Sequence, residues 1–282
     1  MRLIILTSLT MIAFAANSIL TRLAIDGGHI DPSSFALLRV LAGAIVLGML
    51  MTARGGQVQF FRRERLIGSV SLAAYMAGFS LAYLTLDAGL GALILFGVVQ
   101  VTMFAHGALT NATPKPRQIA GATIAFGGLL LALWPGAGGH SDIVGASFMI
   151  IAGLGWAAYT ISGRSSPDPL AATTANFLLC LPFLAIVLVG LAARTTATGV
   201  ALAILCGGVT SGLGYALWYS VLPRLQQSSA AVIQLSVPII SLIGGALILG
   251  EVITPLIAAA TLLVIGGIAI AVTAQSAQAR RS

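Results

Sequence analysis

The amino-acid sequence predicts an all-α polytopic membrane protein: ten transmembrane helices in two inverted five-helix repeats around a central cavity. Three observations predict it: a composition too apolar for a soluble surface, apolar runs of membrane-spanning length, and a weak internal repeat. Of 282 residues, 58% are hydrophobic and 7% carry charge, against about 25% charged in soluble domains. A soluble fold of this size could not cover its surface with so few charged groups, whereas a bilayer tolerates an apolar outer wall. The 33 glycines fit the same setting, since small residues let helices approach closely in lipid.

A hydrocarbon core of about 30 Å takes about 20 apolar residues per helix. At that length the first half divides into Leu3–Leu23, Ser33–Thr52, Leu66–Leu86, Ala88–Leu109 and Gln118–Pro135. The second divides into Ile143–Gly163, Pro169–Ala192, Thr198–Ser220, Ser228–Leu249 and Pro255–Thr273. A hairpin is required around Asp87, because Tyr75 to Leu109 is too long to cross once. Met1–Asn17 has a positive start, an apolar run and Ala13-Phe14-Ala15, which mimics a signal-peptide cleavage site. Its removal would leave nine spans, invert the charge bias and delete one member of the repeat, so it is read as a retained span.

The loops orient the chain by the positive-inside rule. With the amino terminus inside, the cytoplasmic face receives Arg2, Arg54, Arg62, Arg63, Arg65, Lys115, Arg117, Arg164, Arg224, Arg280 and Arg281, eleven of the 14 basic residues. Arg194 falls outside, Arg22 lies at a span end and Arg39 within the second span. Asp26, Asp31, Asp87, Asp142 and Glu251 fall on the outer side. Both termini are thus expected in the cytoplasm, at a bacterial inner membrane. The same distribution explains the net charge of +7 without nucleic acid as a partner. Cys180 and Cys206 lie in apolar runs and are read as buried thiols. No metal-ligand spacing occurs, and neither a metal nor a cofactor is expected.

At a shift near 140 the chain matches itself weakly but in order. Phe14-Ala15-Ala16-Asn17 meets Trp156-Ala157-Ala158-Tyr159, and Arg22 meets Arg164. Asp31-Pro32 meets Asp168-Pro169, Phe79 to Tyr83 meets Tyr215 to Tyr219, and Gly107-Ala108-Leu109 meets Gly245-Ala246-Leu247. This divides the chain into repeats 1–137 and 138–282. Five spans is an odd number, so the second repeat enters from the opposite face, with a site expected near the midplane between them.

These features resemble the EamA type of drug/metabolite transporters. The resemblance rests on the five-plus-five pattern, the aromatic-x-x-polar signature followed by Arg in spans one and six, Leu249-Gly250-Glu251 ending span nine, and Pro238 within it. It covers residues 3–274, with aromatic amino-acid exporters as the nearest characterised kind, and implies export by alternating access. The first half departs from the pattern, with Ala112-Thr113 in place of Gly-Glu and Gln100 in place of proline.

Polar and aromatic groups at membrane depth face protein or water rather than lipid, and helical spacing shows which share a face. Span one offers Thr10, Phe14, Asn17 and Thr21; span three Tyr75, Phe79 and Tyr83; span four Phe96, Gln100 and Met103. Span six offers Trp156, Tyr159 and Gly163; span eight Tyr215, Trp218 and Tyr219; span nine Gln234, Pro238 and Ser241. The expected substrate-binding set is Phe14, Asn17, Tyr75, Phe79, Tyr83, Phe96, Gln100, Trp156, Tyr159, Tyr215, Trp218, Tyr219, Gln234 and Pro238. In the family resembled, these six spans line the cavity. Spans two, five, seven and ten are mostly apolar and are read as scaffold. Arg39 could hold a substrate carboxylate, but its place on a scaffold span near the outer surface favours snorkelling or structural pairing. His106 is read as structural.

An aromatic, amide-bearing, nearly uncharged lining suits small amphiphilic metabolites, amino acids above all, as the substrate partner. An enzyme would need clustered acid–base, nucleophilic or metal-binding groups, and no span carries two such residues within one or two turns. All seven acidic residues fall in loops or at span ends. Small multidrug antiporters, distant relatives of the family resembled, depend on a glutamate in the first span, where this chain has Asn17, which cannot release a proton near neutral pH. Downhill export of neutral or zwitterionic metabolites is therefore expected. The alternatives are proton antiport of other amphiphiles or drugs, and a membrane protein that transports nothing.

Overall fold

A computed structural model describes residues 2–60, 62–110, 116–132, 142–163, 166–187, 195–221, 224–225 and 233–279, and of 108 and 272–279 the backbone alone. Ala112-Thr113, Lys115, Arg164, Arg194, His140, Arg280, Arg281, the end of predicted span five and the start of span nine lie outside the described residues. Ten helices occur among those described: α1 (Arg2–Asp26), α2 (Pro32–Ala53), α3 (Arg63–Ala82), α4 (Ala88–Thr110), α5 (Pro116–Ala132), α6 (Ile143–Gly163), α7 (Pro169–Val187), α8 (Ala197–Val221), α9 (Ser236–Leu249) and α10 (Pro255–Ala279). Seven of them, α1–α4 and α6–α8, are long and apolar enough to cross a membrane.

Local chemistry sets the ends. Asp31 caps α2, its carboxylate accepting the Ser34 N–H at 2.9 Å, with Pro32 in the first turn where its missing N–H costs nothing. Thr196 caps α8 through the Gly199 N–H at 3.2 Å. Predicted span three ran to Leu86, but the helix stops at Ala82 and a turn carries the chain to α4.

Unlike a soluble protein, the chain carries large apolar side chains on its surface as well as in its core. Large apolar side chains such as Leu41, Ile45, Met49, Leu262 and Leu263 are exposed, while Thr10, Asn17, Arg39, Asn176, Thr210 and Ser211 are buried. An apolar outer wall is at ease in lipid, while the buried polar groups bond to one another inside.

Helices α3 and α6 pack together, as do α1 and α8; α2 packs on α8, and α7 on α3. Helices α4 and α6, and α9 and α1, also meet, while α5 and α10 pair with each other beside α4.

Two departures from regular helix matter. Within α8, Cys206–Leu213 is π-helical, and so is Gly245–Leu249 at the end of α9. Such i→i+5 stretches are rare and concentrate at functional positions. Gly207 sits in the first of them because a side chain there would collide with the Arg39 backbone carbonyl. Helices α2 and α8 can touch only with hydrogen at that position.

Candidate functional site

The rings predicted from helical spacing meet where α1, α3, α6 and α8 converge. Trp156 is the hub. It stacks on Tyr159 with centroids 5.4 Å apart, and approaches Tyr75 at 5.0 Å, Tyr215 at 5.1 Å and Phe14 edge-on at 6.4 Å. Phe14 also meets Tyr215 at 5.7 Å and Trp218 at 6.0 Å, and Tyr75, Phe79 and Tyr83 form a chain along α3. Edge-to-face and tilted pairs of this kind add about 0.5–1.5 kcal/mol each beyond burial.

Phe14, Asn17, Ser18, Tyr75, Phe79, Leu95, Phe96, Trp156 and Tyr215 enclose a cavity with about 20 Å³ of room for water-sized bodies. That is enough for a water and too little for a metabolite. The structure therefore holds the rings in a closed arrangement. Of the fourteen expected residues, Phe14, Asn17, Tyr75, Phe79, Phe96, Trp156 and Tyr215 lie on this lining. Tyr83, Tyr159 and Trp218 are buried behind it as ring neighbours, Tyr159 donating to Thr173 at 3.1 Å and Tyr83 to the Ala88 carbonyl at 3.4 Å. Pro238 is buried, while Gln100, Tyr219 and Gln234 are half-buried, and none of these four lines the cavity in this arrangement. Ser18 and Leu95 line it without having been expected.

One edge of the cavity is polar. The Asn17 side-chain oxygen lies 2.7 Å from Thr210 Oγ1, 3.1 Å from Ser211 Oγ, 3.2 Å from Arg39 Nη2 and 3.3 Å from Cys206 Sγ. The π-helical stretch makes this convergence: its wider turn brings Cys206, Thr210 and Ser211 onto one face. Of the two alternatives the sequence left for Arg39, snorkelling or pairing, the structure shows pairing. Arg39 is 0% exposed rather than snorkelling, and its Nε donates to Ser211 Oγ at 3.0 Å and Nη2 to the Tyr75 hydroxyl at 3.2 Å. Its guanidinium carbon stands 4.9 Å from the Phe79 ring centroid and 5.6 Å from that of Tyr75. Spans two and seven are thus not mere scaffold: α7 likewise buries Thr173, Asn176 and Phe177, the last edge-on to Tyr215 at 5.6 Å. An Arg amid an apolar run and a polar Thr210-Ser211 pair among glycines were the signals available.

Ionic contacts gather at the two ends of the bundle. At one, Arg22 reaches Asp26 at 3.2 Å, Asp87 at 3.6 Å and the Tyr83 carbonyl at 3.1 Å. Beside it Gly250, at φ 71°, turns the chain so that Glu251 accepts the Ala88 N–H at 2.6 Å and the Gly89 N–H at 3.3 Å, capping α4. Burial pushes the Glu251 carboxyl above its ordinary range, and Asp87 adds to the rise, against the pull of the two amides. At the other end Arg54 pairs with Asp168, and Arg65 Nη2 lies 3.5 Å from Ser166 Oγ. Partial burial works to raise the Asp168 carboxyl, but the Ala171 N–H and Arg54 prevail and hold it below its ordinary value.

Many apolar helices around a polar and aromatic interior define a multi-pass membrane protein. The chain belongs to the EamA-like transporter family, whose family model matches residues 143–273. Its sequence is 43% identical over 290 residues to the uncharacterized protein PA1977 of Pseudomonas aeruginosa, covering 99% of this chain and 98% of that one. A solved crystal structure shares the fold with a TM-score of 0.64 at 19% identity, over 94% of this chain and 98% of that chain.

Proposed function

We propose that this protein is a secondary transporter that exports small amphiphilic metabolites, amino acids and aromatic ones in particular, across the bacterial inner membrane by alternating access. The observation that carries the reading is the closed box of rings around Trp156, with Asn17 as its amide. Opened by a movement of its helices, a ring-lined site of this kind suits a small body with an aromatic or aliphatic end. The fourteen residues named from the sequence form the substrate path, those off the present lining meeting substrate when the helices rearrange.

Two inverted repeats, 1–137 and 138–282, give the machinery for that rearrangement, in ten spans with both termini cytoplasmic. Helix packing supports this: three of the contacts between helices have a counterpart five helices on, α3–α6 with α8–α1, α2–α8 with α7–α3, and α4–α6 with α9–α1. Rocking one arrangement into its mirror opens the site to the other face. Every acidic side chain lies in a loop or at a span end, so export runs downhill without a carboxylate at the membrane midplane to carry protons. The test is efflux of radiolabelled L-phenylalanine from proteoliposomes, with and without a pH gradient. Wild type is expected to release it, and Trp156→Ala to insert normally yet lose most of the flux. Equal flux in the two proteins would place the path elsewhere.

A further inference from the structure

Asn17 Oδ1 is one carbonyl oxygen with two lone pairs, yet four donors lie within 2.7–3.3 Å of it. Thr210 has a second acceptor, the Cys206 carbonyl at 2.8 Å. Arg39 has no such relief: Nη1 is buried without a hydrogen-bond partner, and the other nitrogens reach only the neutral oxygens of Ser211, Asn17 and Tyr75. No carboxylate pairs with Arg39 among the described residues. Its remaining compensation comes from the ring faces of Phe79 and Tyr75.

The cluster is therefore rich in donors and positive charge, and short of acceptors. A guanidinium keeps its proton at any working pH, and a buried cation costs several kcal/mol unless paired. An apolar residue would join α2 to α8 at less cost. What the cluster lacks is an anion. Asn17, Tyr75 and Phe79 all belong to the cavity lining, so Arg39 stands one side chain behind the enclosed space.

Resting on the transporter reading above, we infer that Arg39 is the anchor for a carboxylate on the transported molecule, whose apolar body lies among Phe14, Tyr75, Trp156 and Tyr215. A carboxylate oxygen is a stronger acceptor than the Tyr75 hydroxyl or the Asn17 amide, and displaces them from Nη2 while its second oxygen takes Nη1. The flat fork of the guanidinium matches that pair of oxygens. The substrates are then zwitterionic or anionic amphiphiles, and cationic amines are excluded by the same charge.

The experiment is calorimetric binding to the purified full-length protein with three probes sharing one ring: 3-phenylpropanoate, L-phenylalanine and phenethylamine. Wild type is expected to bind the two carboxylates about tenfold or more tighter than the amine, the worth of one charge-assisted pair. Arg39→Gln should erase that preference. Should Arg39→Gln fail to fold, Arg39→Lys decides, because it keeps the charge but loses the flat fork that takes two carboxylate oxygens. Weaker carboxylate binding in Arg39→Lys, with phenethylamine binding unchanged, supports the anchor, since an arginine with a purely structural role would shift all three probes alike. Wild type binding the amine as tightly as the carboxylates, or Arg39→Lys leaving the preference unchanged, overturns the anchor and leaves the transporter reading intact. Wild type binding none of the three overturns the aromatic-metabolite reading itself.

Discussion

Replacing Asn17 by alanine removes the acceptor on which α1, α2 and α8 converge. The cost follows from which donors have somewhere else to go. Thr210 falls back on the Cys206 carbonyl at 2.8 Å and loses little. Ser211 keeps its role as acceptor for Arg39 Nε at 3.0 Å but loses its own acceptor at 3.1 Å. Arg39 Nη2 keeps only Tyr75, at 3.2 Å. A hydrogen bond lost by a charged donor costs about 1.5–3 kcal/mol and a neutral one about 1 kcal/mol, so Asn17→Ala should lose about 2.5–4 kcal/mol. Asn17→Asp keeps the acceptor atoms and adds a charge opposite to Arg39, and should be at least as stable as wild type. Unfolding in detergent, followed by loss of helical circular dichroism and by intrinsic fluorescence, measures both. Asn17→Ala within about 0.5 kcal/mol of wild type would refute the convergence as a stabilising feature.

Glu251 gives a pH signature. Its carboxyl titrates above its ordinary 4.5 in the folded protein, so the fold binds that proton more tightly than the unfolded chain does. Stability contributed by the protonated form should fall as pH rises from that ordinary value through the raised one, and Glu251→Gln should flatten that segment of the profile. Reporter fusions active only in the periplasm should be active after Gly139 and silent after Ser282; the reverse pattern would overturn the orientation.

Helix positions were legible wherever an apolar run stood between turn residues. Expected Ile143–Gly163 is α6 as observed, and Ser33–Thr52 falls within one residue of α2 at each end. The π-helical stretches were not legible, because a glycine-rich apolar run has no pattern that separates i→i+5 from i→i+4 bonding. The rings were legible as faces, since a ring repeated at helical spacing must stack with something. The direction in which Arg39 faces was not legible, for a physical reason: α2 is apolar around most of its circumference, so periodicity could not say which side looks inward. Asn17 stood out as a polar group in an apolar run, but its partners lie up to 194 positions away, beyond any local pattern.

The cap on α4 has a consequence for how the chain is made. Its first amides are satisfied by a carboxylate 163 residues further along. A chain emerging from its amino terminus therefore inserts α4 without that cap, its first N–H groups left to water until the turn after α9 has been synthesised. The first repeat is born incomplete, and the second finishes it as well as packing against it. A chain cut between the repeats thus lacks the group that caps its own fourth helix.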